Sequence, residues 1–168
     1  MAHAPPLQMV WPQDDVDAQS MQEYRFSPTD LGSVITAMYA AISGPAGPRD
    51  WDAETRLFHP EARMMRTEVD AAGRPVLKIM TRAQYRENTE PFLAANSFYE
   101  REIDRRVETF GCIAHVWSAY EARTRPTDET PERRGVNLIQ LARDGRGHWR
   151  IVSMIWDNER EGVKLQVF

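Results

Sequence analysis

Apolar residues recur at two different spacings along this chain, and the change between them divides it. Leu31, Val34, Ile35, Met38, Tyr39 and Ile42 follow one another at steps of three and four. That is the stripe of an amphipathic helix over "SPTDLGSVITAMYAAISG". Ser27 is expected to cap it, with Pro28 at the first helical position and Asp30 in the first turn. "SGPAGP" stops it. Asp50 can cap a second, short helix, "WDAETRLF", which Pro60 ends because a residue before proline avoids the helical region. "ARMMRTEVDAAGRPVLKIM" predicts two short strands around a turn at Ala72 and Gly73. "TRAQYRENTEPFLAAN" predicts a third helix, capped by Thr81 and closing near Pro91 to Asn96.

Beyond Asn96 the period shortens to two. "SFYEREIDRRVETF", "CIAHVWSAYEARTR", "GVNLIQLAR" and "HWRIVSMIWDNE" predict strands, with Gly111 between the first pair and "PTDETPERR" and "DGRG" as loops. Helices followed by a meander of long antiparallel strands make an α+β pattern. Residues 1–26 are rich in Pro, Gln and Asp without periodicity; they predict a tail, which Trp11 can pin, ahead of a single domain over 27–168. Neither face of the late strands is simply polar. Strict alternation puts Trp149, Ile151, Ser153, Ile155 and Asp157 on one side of the last strand, and Val152, Met154 and Trp156 on the other. It separates Ala114, Val116, Ser118 and Tyr120 from Ile113, His115 and Trp117. Helices that all precede the sheet cover one face only. The other, expected to show Ile113, Trp117, Val152, Met154 and Trp156, calls for a second copy of the chain.

Composition narrows the function. The chain has 168 residues, 42% of them apolar, enough for one domain with a real core. A formal net charge of -4 argues against a general binder of nucleic-acid backbones. The single cysteine, Cys112, excludes an internal disulfide and a multi-cysteine zinc site, and fits the cytoplasm. No apolar run approaches the ~18 residues of a membrane span. Glycine-rich phosphate loops, H-E-x-x-H and G-x-S-x-G are all missing from the sequence, so metal, nucleotide and acyl-serine mechanisms lack support, and no cofactor is expected.

The opening helix with Tyr39, the segment "RLFHPEARM", the third helix, and the strands "FGCIAHVWSAYEAR" and "DGRGHWRIVSMIWD" together resemble the NTF2-like superfamily, over roughly Pro28 to Asp157. That group includes SnoaL-like polyketide cyclases, ketosteroid isomerase and scytalone dehydratase. The resemblance implies a cone in which a strongly bent antiparallel sheet wraps around the helices, with a pocket at the wide end and dimerisation through the outer face. Tyr39 falls where the isomerase places its oxyanion-hole tyrosine. The isomerase's general-base aspartate matches Arg66, which cannot accept a proton at neutral pH, so that route is lost.

These considerations select candidate residues. His59 is either an acid or base at the pocket wall or, more plainly, a helix-end residue favoured by the dipole. Tyr39 would polarise an oxygen while His59 or Asp157 moves a proton. On this basis Tyr39→Phe should leave stability nearly intact. Trp51, Arg66, Tyr120 and Asn137 are expected to line the pocket, although each aromatic is as well explained by plain core packing. His115 fits a packed or interface position. Glu100, Glu102 and Asp104 share one strand face and, beside Arg101, Arg105 and Arg106, suggest a surface charge ladder. The expected function is binding of a small apolar carbonyl or polyketide-like molecule, with cofactor-free lyase, isomerase or cyclase chemistry. The alternative is a non-catalytic ligand-binding or dimeric interaction module.

Overall fold

The structure, a computed structural model, describes residues 26–166. The tail and Trp11 lie outside the described residues. The order of elements is α1 (Leu31–Ile42), α2 (Trp51–Thr55), β1 (Phe58–Val69), β2 (Pro75–Thr81), α3 (Arg82–Ala95), β3 (Tyr99–Phe110), β4 (Ile113–Arg123), β5 (Arg133–Arg143) and β6 (Trp149–Asn158).

Helix ends follow local hydrogen bonding. The cap of α1 is Asp30 rather than Ser27: its extended backbone carries a carboxylate that accepts from the Gly32 N–H at 3.0 Å. Pro28 stays outside the helix because its carbonyl accepts from the Trp149 N–H at 2.7 Å. Asp50 caps α2 through the Ala53 N–H at 2.8 Å. That helix stops at Thr55, three residues short of Phe58, which already belongs to a strand. Thr81 and Gln84 form a reciprocal capping box at the start of α3, and Pro91 lies inside this helix rather than ending it.

The six strands form one sheet in the order β2-β1-β6-β5-β4-β3. It is not wholly antiparallel, because β1 runs parallel to β6. The helices cover one face. Val34, Ile35, Met38 and Tyr39 of α1 pack there with Val116, Ile139 and Ile151, and each aliphatic buried this way contributes about 1.5–3 kcal/mol.

Three register shifts decide which residues reach that inner face. In β1 the pairing jumps from Phe58 to Arg63, which lets Pro60 sit without a ladder partner. In β3 the extra residue is Ile103, between Glu102 and Asp104. In β6 it is Val152: Ile151 pairs with Leu141, and Ser153 pairs with Gln140. The β6 bulge overturns strict alternation. Trp149, Ile151, Met154 and Trp156 all face inward, while Val152, Ser153, Ile155 and Asp157 do not. Met154 and Trp156 therefore leave the expected outer set. The faces of β4 are as the alternation predicts, with Ala114, Val116, Ser118 and Tyr120 inside.

Candidate functional site

Between α3 and the inner sheet face lies a partly open cavity of about 430 Å³. Its wall mixes apolar groups (Phe92, Phe98, Met154, Trp156) with polar ones (Arg66, Asn137, Arg133, Asn158). Three cross-strand rows build the polar part. One runs Arg133, Ala122, Glu100; the next Asn158, Gly135, Tyr120, Glu102; the third Arg66, Trp156, Asn137, Ser118, Arg105. Residues in such rows share a face, so the register places these side chains together.

The third row anchors a buried chain of hydrogen bonds. Arg105 pairs with Glu102 at 2.5 Å, and Ser118 Oγ donates to Glu102 Oε1 at 2.5 Å. Ser118 Oγ also lies 2.6 Å from the Tyr39 hydroxyl, and Asn137 Nδ2 donates to that hydroxyl at 2.9 Å. A carboxylate only accepts. Ser118 must therefore donate to Glu102 and accept from Tyr39, whose oxygen is left to accept from Asn137. The charge on Glu102 thus sets the amide orientation of Asn137 at the cavity wall. Burial, with Glu100 and Glu102 nearby, holds the Tyr39 phenol well above its ordinary pKa, so it stays protonated.

Tyr39 is 0% exposed and reaches the cavity only through Asn137. Tyr120 donates to Asn158 Oδ1 at 2.6 Å. Gly135 makes this reach possible: a Cβ there would stand 2.7 Å from the Tyr120 hydroxyl and 2.3 Å from the Asp157 carbonyl. Trp51 is buried behind the wall, edge-on to Tyr85 at 6.4 Å between centroids; Tyr85 in turn meets Trp156 at 6.1 Å. Burial first, then Glu100, pushes Tyr85 up to about 12.

Of the seven expected residues only Arg66, Tyr120 and Asn137 line the cavity; Tyr39 and Trp51 are buried behind its wall, and the other two lie away from it. His59 is exposed at the β1 register shift, where its Nδ1 accepts from the Glu61 N–H at 3.1 Å. It neither ends a helix nor meets the cavity. Asp157 faces outward, its side chain 41% exposed and paired with Arg160 at 2.7 Å, because the Val152 bulge inverts its side. The residue that sequence reasoning missed is Glu100. It is no part of a surface ladder: the Ile103 bulge separates Asp104 from Glu100 and Glu102, and Glu100 is only 9% exposed. The described residues give its carboxyl no hydrogen-bond donor and no ion pair, while its backbone is held by Ser43. Burial pushes this carboxyl up to about 8, against the opposing pull of Arg133. A signal was present in the sequence: Ala122, opposite Glu100, leaves a long neighbour room to lie inward.

No family model matches the sequence, and no curated protein matches it significantly. Solved structures do. A protein of unknown function with a cystatin-like fold from Nostoc punctiforme superposes with a TM-score of 0.59 at 10% identity, covering 77% of this chain and 88% of that one. An NTF2-like protein of unknown function from Pseudomonas putida gives 0.58 at 12% identity, covering 79% and 88%. The chain has an NTF2-like fold. Among further structural neighbours is a candidate scytalone dehydratase from Novosphingobium aromaticivorans, with a TM-score of 0.53 at 13% identity, covering 77% and 82%. Within this NTF2-like fold, no helix of the described residues is long and apolar enough to cross a membrane.

Proposed function

We propose that this protein binds a small carbonyl compound in the cavity and moves a proton on it without a cofactor, as a lyase, isomerase or cyclase does, with Glu100 as the proton-transferring group. One observation carries the reading: a buried, unpaired carboxyl stands on the wall of an accessible cavity. A carboxyl whose pKa lies near working pH can both take and return a proton. In its ionised form Glu100 takes the proton from the carbon beside the carbonyl, leaving an enolate. The free N–H of the Asn137 amide is the donor best placed to meet the enolate oxygen. Tyr39, Ser118 and Glu102 then act as positioning residues that orient this amide. The candidate dehydratase among the solved neighbours is in keeping with the same chemistry.

The test is deuterium exchange at the α-carbon of small cyclic ketones in D2O, followed by NMR, for wild type and Glu100→Gln. Exchange above the buffer rate is expected only with the wild type. If the variant exchanges as fast, Glu100 is not the proton carrier. If the ketone binds both proteins and neither accelerates exchange, the non-catalytic binding module is the correct reading.

We further propose a cytoplasmic homodimer formed through the outer sheet face. The support is a continuous cross-strand row of Ile79, Met65, Ile155, Leu138 and Trp117, ending at Arg106, whose guanidinium lies 5.0 Å from the Trp117 ring. Ile79 and Ile113 are 58% and 59% exposed in the single chain. A chain of 19.4 kDa should elute at twice that mass, and Trp117→Arg should give a monomer or insoluble protein. A wild type that stays monomeric at high micromolar concentration by light scattering excludes the dimer.

A further inference from the structure

Four charged side chains, Arg66, Glu68, Glu100 and Arg133, stand on the cavity wall. Arg66 and Glu68 neutralise each other at 2.5 Å. Glu100, buried without a donor, favours its neutral form. Arg133 remains: among the described residues no carboxylate lies within ion-pair distance of it, so the cavity carries about one uncompensated positive charge.

We propose that the cavity selects a small carbonyl compound bearing one carboxylate, anchored by the Arg133 guanidinium with its carbonyl end toward Glu100 and Asn137. This rests on the reading of the cavity as the binding site, and it names the substrate class. Arg133 and Glu100 flank Ala122 in one cross-strand row, two strands apart. Strand spacing puts their backbones about 10 Å from each other. Both side chains stand on the wall of the same cavity, which gives the ligand body its room. A planar guanidinium meets a carboxylate through two parallel N–H donors. A phosphate dianion would need more than one such charge, and the chain has no glycine-rich loop to hold it. The neutral carbonyl compound expected from sequence would leave Arg133 unmatched.

The discriminating probe is benzoate against its neutral isostere benzamide, titrated into the full chain and followed by backbone amide NMR shifts. Benzoate is expected to bind about tenfold tighter or more, with shifts centred on Trp156, Asn137 and Glu100. Arg133→Met should abolish the preference and Arg133→Lys should keep part of it. Arg133 is exposed at the start of β5, so neither change disturbs the core. Equal affinities, no benzoate response at millimolar concentration, shifts outside the cavity, or a preference that survives Arg133→Met each overturn the proposal. None of these readouts involves turnover. The carboxylate preference can therefore stand where Glu100 fails the exchange test, and fall where Glu100 passes it.

Discussion

Replacing Glu100 by Gln should change how stability depends on pH, in a direction opposite to the usual carboxylate. Folding raises this carboxyl from 4.5 to about 8, chiefly through burial. The folded state therefore holds the proton more tightly than the unfolded chain, and ionisation opposes folding. The loss begins as pH rises past about 4.5 and levels off above about 8. At full extent it amounts to roughly 5 kcal/mol, from about 1.36 kcal/mol for each unit of pKa. About half of that, roughly 2–3 kcal/mol, falls between about pH 6 and pH 8.5. The Gln variant keeps the shape of the side chain and has nothing to ionise. Urea unfolding of both proteins across this range, followed by tryptophan fluorescence, isolates the effect: other titrating groups cancel in the difference between the two. The variant should become progressively more stable than wild type as pH rises. A difference that stays flat within about 0.5 kcal/mol would falsify the claim that Glu100 is buried and unpaired.

Three other substitutions probe the supports of the cavity. Tyr39→Phe should cost about 1–3 kcal/mol rather than leave stability intact, because it strands the Asn137 amide and unhooks Ser118 inside the core; thermal unfolding measures it, and an unchanged midpoint refutes the chain of hydrogen bonds. Gly135→Ala should cost about 1–3 kcal/mol or more and displace the Tyr120 ring, since the added methyl meets the Asp157 carbonyl at 2.3 Å; normal stability in urea would show that β5 yields there. Glu54, 3% exposed, is paired with Arg82, whose guanidinium also lies 3.9 Å from the centroid of the Phe58 ring. Glu54→Gln should therefore cost about 3–5 kcal/mol by leaving a buried cation, and adding Arg82→Met should recover much of that in a double-mutant cycle.

What the sequence showed of the fold came from periodicity, and periodicity is robust to the details that moved. The α1 stripe, the capping box at Thr81 and the turn at Gly73 are local patterns, each satisfied within a few residues. The parallel pairing of β1 with β6 is not local. It depends on which strand edge remains free after β3 to β6 have formed a meander, and no residue in either strand announces it. Helix ends shifted for the same reason: Pro28 was withheld from α1 by the Trp149 N–H, a partner more than a hundred residues away.

The site was less legible, because alternation fails wherever a strand takes in one extra residue. Tyr120 and Asn137 stand on the cavity wall, on strands whose register is unbroken between them. Asp157 lies beyond the Val152 bulge, and counting from Trp149 put it on the wrong face. Glu100 and Asp104 straddle the Ile103 bulge, so three acids that look like one exposed ladder are two groups facing opposite ways. The far end of β3, from Val107 to Phe110, is exposed, as a surface ladder requires. The other end lies under α1, and Glu100 there is buried instead of solvated. Burial of a charged residue is a property of the helix packed above it. It becomes visible only when a small residue such as Ser118 is read together with the α1 side chain it receives, Tyr39.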